Sequence, residues 1–124
     1  MRILALLLPL SAAALFAQHN HAAGAAQPAM LLPGMGNLHH PIATSSPEAQ
    51  KYFDQGLAFL FAFNHDEAIR SFKHAAALDP ECAMAHWGVS IASGPHYNKA
   101  DLPPDRAKQA WASLQLARAR SATA

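Results

Sequence analysis

The sequence is short of cysteine and of charge. Cys82 is the only cysteine among 124 residues, so no disulfide can form within the chain. Charged residues make up 14% of the composition and the formal net charge is +1, which provides no basic surface for nucleic acid or anionic lipid. We therefore expect no nucleic-acid partner, and we expect Cys82 to be a small buried residue rather than a reactive thiol.

The sequence also lacks the short patterns that mark catalytic centres. It contains no His-Glu-x-x-His zinc motif, no Cys-x-x-Cys-His haem motif and no pair of cysteines. Its carboxylates stand at helix ends or at exposed positions, and none stands at a persuasive spacing from a serine or cysteine nucleophile. We therefore expect a protein without catalysis of its own and without a cofactor.

The long apolar run near the start is too short to cross a membrane. It covers residues 3–17, ILALLLPLSAAALFA, whereas a spanning helix needs about 20 residues. Arg2 before the run and small residues at its end are typical of a secretory signal peptide, which we assign to residues 1–17. Cleavage within residues 22–26 and an uncleaved anchor are the alternatives. We expect export to the bacterial periplasm or medium, with no stable membrane span after cleavage.

Residues 18–45 contain no helical periodicity. Residues 18–36 are rich in Ala, Gly and Pro, which is typical of a flexible linker. The sequence His-His-Pro-Ile follows, and Pro41 restricts His40 to extended backbone angles. We therefore expect a flexible linker that leads into an extended segment before the folded domain, which we place at residues 46–124.

Residues 46–80 have the pattern of two antiparallel helices. Ser46 followed by Pro47 is a strong helix start, and apolar residues then recur at the 3.6-residue helical period until about Asn64. The second helix begins with acidic residues, which oppose the positive end of the helix dipole. It ends at Asp79 because Pro80 cannot continue a helix.

This helical pair resembles one unit of the tetratricopeptide repeat (TPR) family. The family pattern has an aromatic residue, Leu-Gly, a second aromatic, then Ala, Phe and Pro at fixed offsets. The matching residues are Tyr52, Gly56, Phe59, Ala68, Phe72 and Pro80. Gln55 departs from the pattern, because it stands where Leu is expected, so its contact should be wet or made to a segment outside the repeat. Within the family, this chain looks most like exported bacterial proteins that carry a His-His-Pro-Ile segment.

Residues 81–120 read as a second, degenerate unit. Turn-forming residues at 93–105 lengthen the connection between its helices, and the last helix begins near Pro104. Ala110, Leu114 and Ala117 repeat the spacing of Ala68, Phe72 and Ala75 in the first unit. The sequence therefore predicts an all-α fold in which antiparallel hairpins stack as a short TPR-like α-solenoid.

Two units are fewer than the roughly three that such arrays need. The chain is then expected to be part of a longer array, to associate with a partner or with itself, or to cover its open face with the lead-in. For the last case we hypothesise that residues 30–42 lie in the groove of the array and mask it.

The resemblance implies a role in protein or peptide binding. In the family, the first helices of successive units line a concave groove, and in this register the groove residues are Gln50, Phe53, Leu57, Leu60, Met84, Trp87 and Ile91. This stripe is largely apolar, so it fits either a binding surface or part of the core. We interpret the chain as a scaffold module for a protein or peptide ligand.

Histidine gives the alternative hypothesis. The sequence holds eight histidines, and imidazoles bind zinc or copper where three or four converge. His39, His40, His65 and His96 are the candidate set, because each stands at a loop or a helix end. The alternative function is therefore metal binding on the same helical fold, although no metal site is firmly indicated.

Overall fold

Four helices make up the folded domain. The computed structural model describes residues 28–97 and 100–122, so the assigned signal peptide at residues 1–17 lies outside the described residues. The helices are α1 (Pro47–Phe61), α2 (His65–Leu78), α3 (Ala83–Ser93) and α4 (Pro104–Ser121). Each helix packs against the next, and α3 also contacts α1. The described part of the chain contains no β-strand, so the prediction of an all-α fold is confirmed.

The helices in the described ranges differ from membrane spans. None of them combines the length and the apolar character that crossing a bilayer requires.

The start of α1 follows the predicted capping. Ser46 Oγ accepts a hydrogen bond from Ala49 N–H at 3.1 Å, and Pro47 occupies the first helical position. The end of α1 differs from the prediction, because the helix stops at Phe61 and Asn64 caps the next helix instead. Asn64 Oδ1 accepts from Glu67 N–H at 3.4 Å, which satisfies one of the free amides at the start of α2.

The turn between α1 and α2 holds Phe63 in the left-handed region of backbone space, at φ 60°. The N–H of Asn64 donates to the carbonyl of Phe59 at 2.9 Å, and the N–H of Phe63 donates to the carbonyl of Leu60 at 3.1 Å. This is the bond pattern of a Schellman motif, in which the left-handed residue is usually glycine. A residue with a Cβ atom loses about 1–2 kcal/mol in that conformation.

We expect Phe63→Gly to raise the free energy of unfolding by about 0.5–1 kcal/mol, because relief of this strain outweighs the extra entropy of glycine in the unfolded chain. The Phe63 side chain is 62% exposed, so little burial is lost. Phe61→Gly is the control, since Phe61 is 67% exposed but is the last residue of α1, where glycine relieves no left-handed strain and is a poorer helix former. Urea unfolding distinguishes the two, and a loss of stability in both variants would contradict the assignment of strain to Phe63.

The core forms where Phe72 of α2 enters between α1 and α3. Phe72 is fully buried, and a Cβ atom built on Gly56 would lie 2.6 Å from two of its ring carbons. A Cβ atom on Gly88 would lie closer still. The two glycines therefore let α1 and α3 approach the same ring. The other core residues are Ala49, Tyr52, Phe53, Leu57, Ala68, Ile69, Ala75, Cys82, Ala85, Val89 and Ala92.

Helix α4 packs along α3 and also makes polar contacts with α2 and α3. Ser90 Oγ on α3 donates to the carbonyl of Ala110 at 2.8 Å, and Arg106 forms an ion pair with Asp66 of α2 at 2.7 Å. Among the described residues of α4, only Ala117 is buried, whereas Trp111 is 63% exposed. The prediction that this helix begins near Pro104 is confirmed.

Candidate functional site

An apolar groove lies between α1 and α3, and we call it the α1–α3 groove. It is a depression of about 160 Å³ lined by His40, Phe53, Leu57, Phe61, Met84 and Trp87. The three α1 residues follow one another at intervals of four, and the two α3 residues at an interval of three, so each set shares one helix face. His40 comes from the segment before α1, and its ring centroid lies 6.1 Å from that of Phe53.

The groove has a buried floor and an exposed rim. Phe53 is fully buried and Leu57 is 6% exposed, so both belong to the core as well as to the floor. Phe61 stands on the rim and is 67% exposed, while Trp87 is half-buried. A partner would therefore meet mainly Phe61 and Trp87.

The structure places the seven groove residues expected from the sequence in two groups. Of the seven residues, Phe53, Leu57, Met84 and Trp87 line the α1–α3 groove, but Phe53 offers no exposed surface because it packs against the ring of Phe72 at 5.4 Å between centroids. The remaining three lie outside the lining: Leu60 packs against the core, Ile91 is exposed and Gln50 is hydrogen-bonded to the preceding segment.

Sequence reasoning missed Phe61 and His40. Phe61 follows Leu57 by four residues, so the helical period that selected Leu57 also reaches it. No sequence pattern indicated His40, because it is brought to the groove by hydrogen bonds between its backbone and Asp54 and Gln50 of α1, which are distant in sequence.

Comparisons with protein-family models, with curated proteins and with solved structures found no match. The function of the α1–α3 groove is therefore inferred from the size, exposure and charge of its own residues. Its volume is about 160 Å³, which is below the roughly 300–1,000 Å³ typical of sites for cofactors and drug-sized ligands. The groove has room on the scale of one large side chain.

A second apolar depression adjoins the first. It measures about 190 Å³, lies between α3 and α4, and is lined by Ala83, Met84, Trp87, Leu114, Ala117, Arg118 and Ser121. Met84 and Trp87 line both depressions. Trp87 therefore stands at the centre of the apolar surface of the domain.

Residues 29–42, which we call the strap, lie along α1, with residues 29–32 bonded to Tyr52 and Gln55 and residues 40–42 bonded to Asp54 and Gln50. The strap is bound through its backbone. The hydrogen bonds are Tyr52 Oη to Ala29 O (3.2 Å), Gln55 Nε2 to Met30 O (2.9 Å), Leu32 N to Gln55 Oε1 (2.7 Å), His40 N to Asp54 Oδ1 (3.0 Å), Gln50 Nε2 to His40 O (2.9 Å) and Ile42 N to Gln50 Oε1 (3.0 Å). The strap includes residues 29–36, which belong to the assigned linker. This part of the linker is thus hydrogen-bonded to α1.

The hypothesis that residues 30–42 mask the groove is wrong. The hypothesis relies on five apolar side chains of this segment, of which Met30, Leu31, Leu32 and Leu38 are exposed by 41% or more and Ile42 is the fifth. Ile42 alone among the five packs against the core. Because the strap is held by polar groups of α1, it leaves the groove open and contributes to it only the wall made by His40.

Gln55 joins the strap to both helices of the first pair. Its side chain is 6% exposed, and its amide nitrogen also donates to Ser71 Oγ of α2 at 3.0 Å. A buried amide needs such partners, because an unpaired one costs about 1–3 kcal/mol. Of the two contacts expected for Gln55, a wet one or one to a segment outside residues 46–80, the structure shows the second, in its two bonds to the strap.

The structure divides the four candidate metal ligands between two places. His39 Nδ1 lies 2.8 Å from Asp54 Oδ2, and the neighbouring His40 amide donates to the other oxygen of the same carboxylate. His65 and His96 instead stack on each other, with centroids 3.9 Å apart and planes 14° apart. Imidazole lone pairs lie in the ring plane, so nearly parallel stacked rings do not aim at one ion about 2 Å away.

Within residues 28–97 and 100–122, no group of three or more His, Cys, Asp or Glu side chains is placed to hold a metal ion. The candidate set of His39, His40, His65 and His96 therefore does not converge as the metal hypothesis requires.

Cys82 and Asp79 have pKa values shifted from their ordinary values. Burial raises the pKa of the Cys82 thiol, which keeps it protonated and poorly nucleophilic, as expected for a structural cysteine. A hydrogen bond from the Thr44 hydroxyl holds the pKa of the Asp79 carboxyl below its ordinary value. Both pKa shifts thus have structural causes. Cys82 lies in the core, and the Thr44–Asp79 hydrogen bond joins the segment before α1 to the end of α2.

Proposed function

We propose that the chain is an exported TPR-like module that binds a peptide segment of a protein partner in the α1–α3 groove. In this proposal α1–α2 and α3–α4 are two stacked repeat units, the first at residues 46–80 and the second at residues 81–120. The order of helix contacts along the chain supports it, as does the close approach of both α1 and α3 to Phe72 at glycine positions.

The observation that carries the proposed function is an exposed aromatic rim on a buried apolar floor. Phe61 is 67% exposed directly beside the half-buried Trp87 and Met84. Aromatic residues and methionine are enriched in protein interfaces, and buried tryptophans often carry much of the binding free energy. Without a ligand, Phe61, Trp87 and Met84 expose apolar surface to water, and a bound peptide would cover it.

The size and charge of the groove indicate the class of peptide. None of the residues that line it is acidic, lysine or arginine, and its volume of about 160 Å³ suits one apolar side chain at a time. We infer that the ligand is a peptide that inserts a leucine-sized or aromatic anchor between Phe61 and Trp87, while its neighbouring residues remain in water.

Peptides selected from a random display library on the folded chain test the proposal. We expect Trp87→Ala to weaken their binding by about tenfold to thirtyfold, because loss of a hot-spot side chain costs about 2 kcal/mol. Phe61→Ala should weaken it by a smaller factor without endangering the fold, since that ring is largely exposed.

Trp111→Ala is the matched control, because Trp111 is an exposed tryptophan on α4 that lies outside both depressions. Binding is measured by fluorescence anisotropy, and circular dichroism checks that each variant is folded. Unchanged affinity in both the Trp87 and Phe61 variants would refute the groove as the binding site.

A further inference from the structure

The strap contacts α1 chiefly through its backbone, while the His39 side chain adds a contact of 2.8 Å to Asp54 Oδ2 and Ile42 packs against the core. Six hydrogen bonds join backbone atoms of the strap to side chains of α1. Gln50 and Gln55 each accept from a strap amide and donate to a strap carbonyl, which is how a neighbouring β-strand would pair with an added strand. These contacts specify an extended chain and carry no preference for particular side chains.

Gln50, Asp54 and Gln55 of α1 are held in position before any chain binds to them. Gln50 Nε2 donates to Asp54 Oδ1 at 2.9 Å, so the amide and the carboxylate hold each other in position. Gln55 is fixed in the same way by Ser71 of α2. A site whose groups are already oriented loses little entropy when it binds a chain.

The strap itself is only loosely seated between its two ends. Gly34 and Gly36, at φ 79° and 82°, form the turn between the part bound by Gln55 and the part bound by Asp54. A gap of about 170 Å³ remains under this turn, next to Lys51 and Ala58 of α1. Met30, Leu31, Leu32 and Leu38 are exposed and add little burial, so the strap is held by a small number of hydrogen bonds together with Ala29 and Ile42, which pack against the core.

We propose that this face of α1 is a binding site for extended peptide backbone, which the strap occupies as a displaceable ligand from the same chain. The ligand class is an unstructured polypeptide segment with N–H groups at the positions of Leu32, His40 and Ile42. The prolines of the strap region, Pro33 and Pro41, fall between these donors. This site adjoins the α1–α3 groove through His40, which lines the groove, but it does not depend on the function proposed for the groove.

The test uses the complete chain with a specific protease site inserted after Ala43, an exposed residue. Cleavage then turns the strap into a separate peptide while every residue remains present. We expect a fluorescent synthetic peptide of residues 28–43 to replace the cut strap. Methylation of the peptide nitrogens at Leu32 and His40 should weaken binding by about tenfold for each blocked donor.

Two further peptides distinguish the possible sources of a ligand. The unaltered peptide represents the strap of a second copy, and a version with alanine at Met30, Leu31, Leu32 and Leu38 represents an unrelated extended segment. We expect the two to bind within threefold of each other. Binding that is lost with the alanine version, or retained with the methylated one, would overturn recognition by the backbone.

Variants of the cut chain locate the site. Gln55→Ala should weaken the peptide at least tenfold, whereas Lys51→Ala, which lines the gap but bonds no strap backbone atom among the contacts above, should leave affinity unchanged. Unfolding of the chain on cleavage would overturn the proposal, because the strap would then be an obligatory part of the fold.

Amide hydrogen exchange gives an independent measurement on the uncut chain. We expect the amides of Leu32, His40 and Ile42 to exchange together and at least a hundredfold faster than those of the α2 core around Phe72. Equal exchange of strap and core amides would show that the strap leaves only when the whole domain unfolds, which would also overturn the proposal.

Discussion

Gly88→Ala is expected to lower the free energy of unfolding by about 2–3 kcal/mol, because the added methyl group would overlap the fully buried ring of Phe72. Alanine is the better helix former by about 1 kcal/mol, so the clash must exceed that gain before any loss is seen. The neighbours of the ring are backbone and core side chains, which have little room to move. For a domain of this size we expect the melting temperature to fall by about 10–20 °C.

Gly94→Ala is the control for Gly88→Ala. Gly94 lies at the end of the same helix, and a Cβ atom there would come no closer than 3.5 Å to another atom. Phe72→Leu in the background of Gly88→Ala should restore part of the lost stability, since a smaller side chain makes room for the methyl group. Additive losses in the double variant would contradict a direct clash, and so would a neutral Gly88→Ala.

Gln55→Leu is expected to lower the free energy of unfolding by about 2 kcal/mol, although leucine is the residue that the repeat pattern favours at this position. The change removes the partners of Leu32 N–H, Met30 C=O and Ser71 Oγ. Strap atoms that move into water recover part of the loss, which is why we expect less than the sum of three buried unpaired groups.

Urea unfolding measures this loss, and hydrogen exchange at Leu32 reports whether the strap has left α1. Gln115→Leu is the matched control, because Gln115 is an exposed glutamine of α4 and should change stability by less than about 0.5 kcal/mol. If Gln55→Leu stabilised the chain, the position would be an ordinary repeat contact and the polar link to the strap would be unimportant.

The parts of the fold that sequence reasoning obtained are those that local spacing encodes. Ser46 and Pro47 identify the start of α1 because capping involves residues close in sequence. Gly56 and Phe72 stand at offsets set by the packing of one helix on the next. The resemblance to the repeat family implied that Met84 and Trp87 line a groove, and both line the depression between α1 and α3.

The parts that were missed depend on contacts between distant residues. Gly88 received no role from the sequence, since its closeness to Phe72 arises only when α3 packs on α2. The strap residues bond to side chains 8 to 25 positions away, and no short pattern signals such pairs. Composition indicated a flexible linker at residues 18–36 and gave no sign of the hydrogen bonds that join residues 29, 30 and 32 to α1.

The histidines illustrate the same limit. Their number suggested a metal site, but number does not fix where imidazoles meet. His39 and His40 both contact Asp54, whereas His65 stacks on His96. The four candidates therefore lie in two separate pairs. The fold, rather than the count, decides whether such residues can act together.

The most direct test of peptide binding in the α1–α3 groove is a chemical-shift titration of the isotope-labelled chain with a selected peptide. We expect the largest shifts at Phe61, Met84 and Trp87, with Trp111 of α4 unaffected. Shifts confined to the strap and the polar face of α1 would move the binding activity to the other site. Shifts confined to α4, or no saturable shift with any selected peptide, would contradict the proposed function.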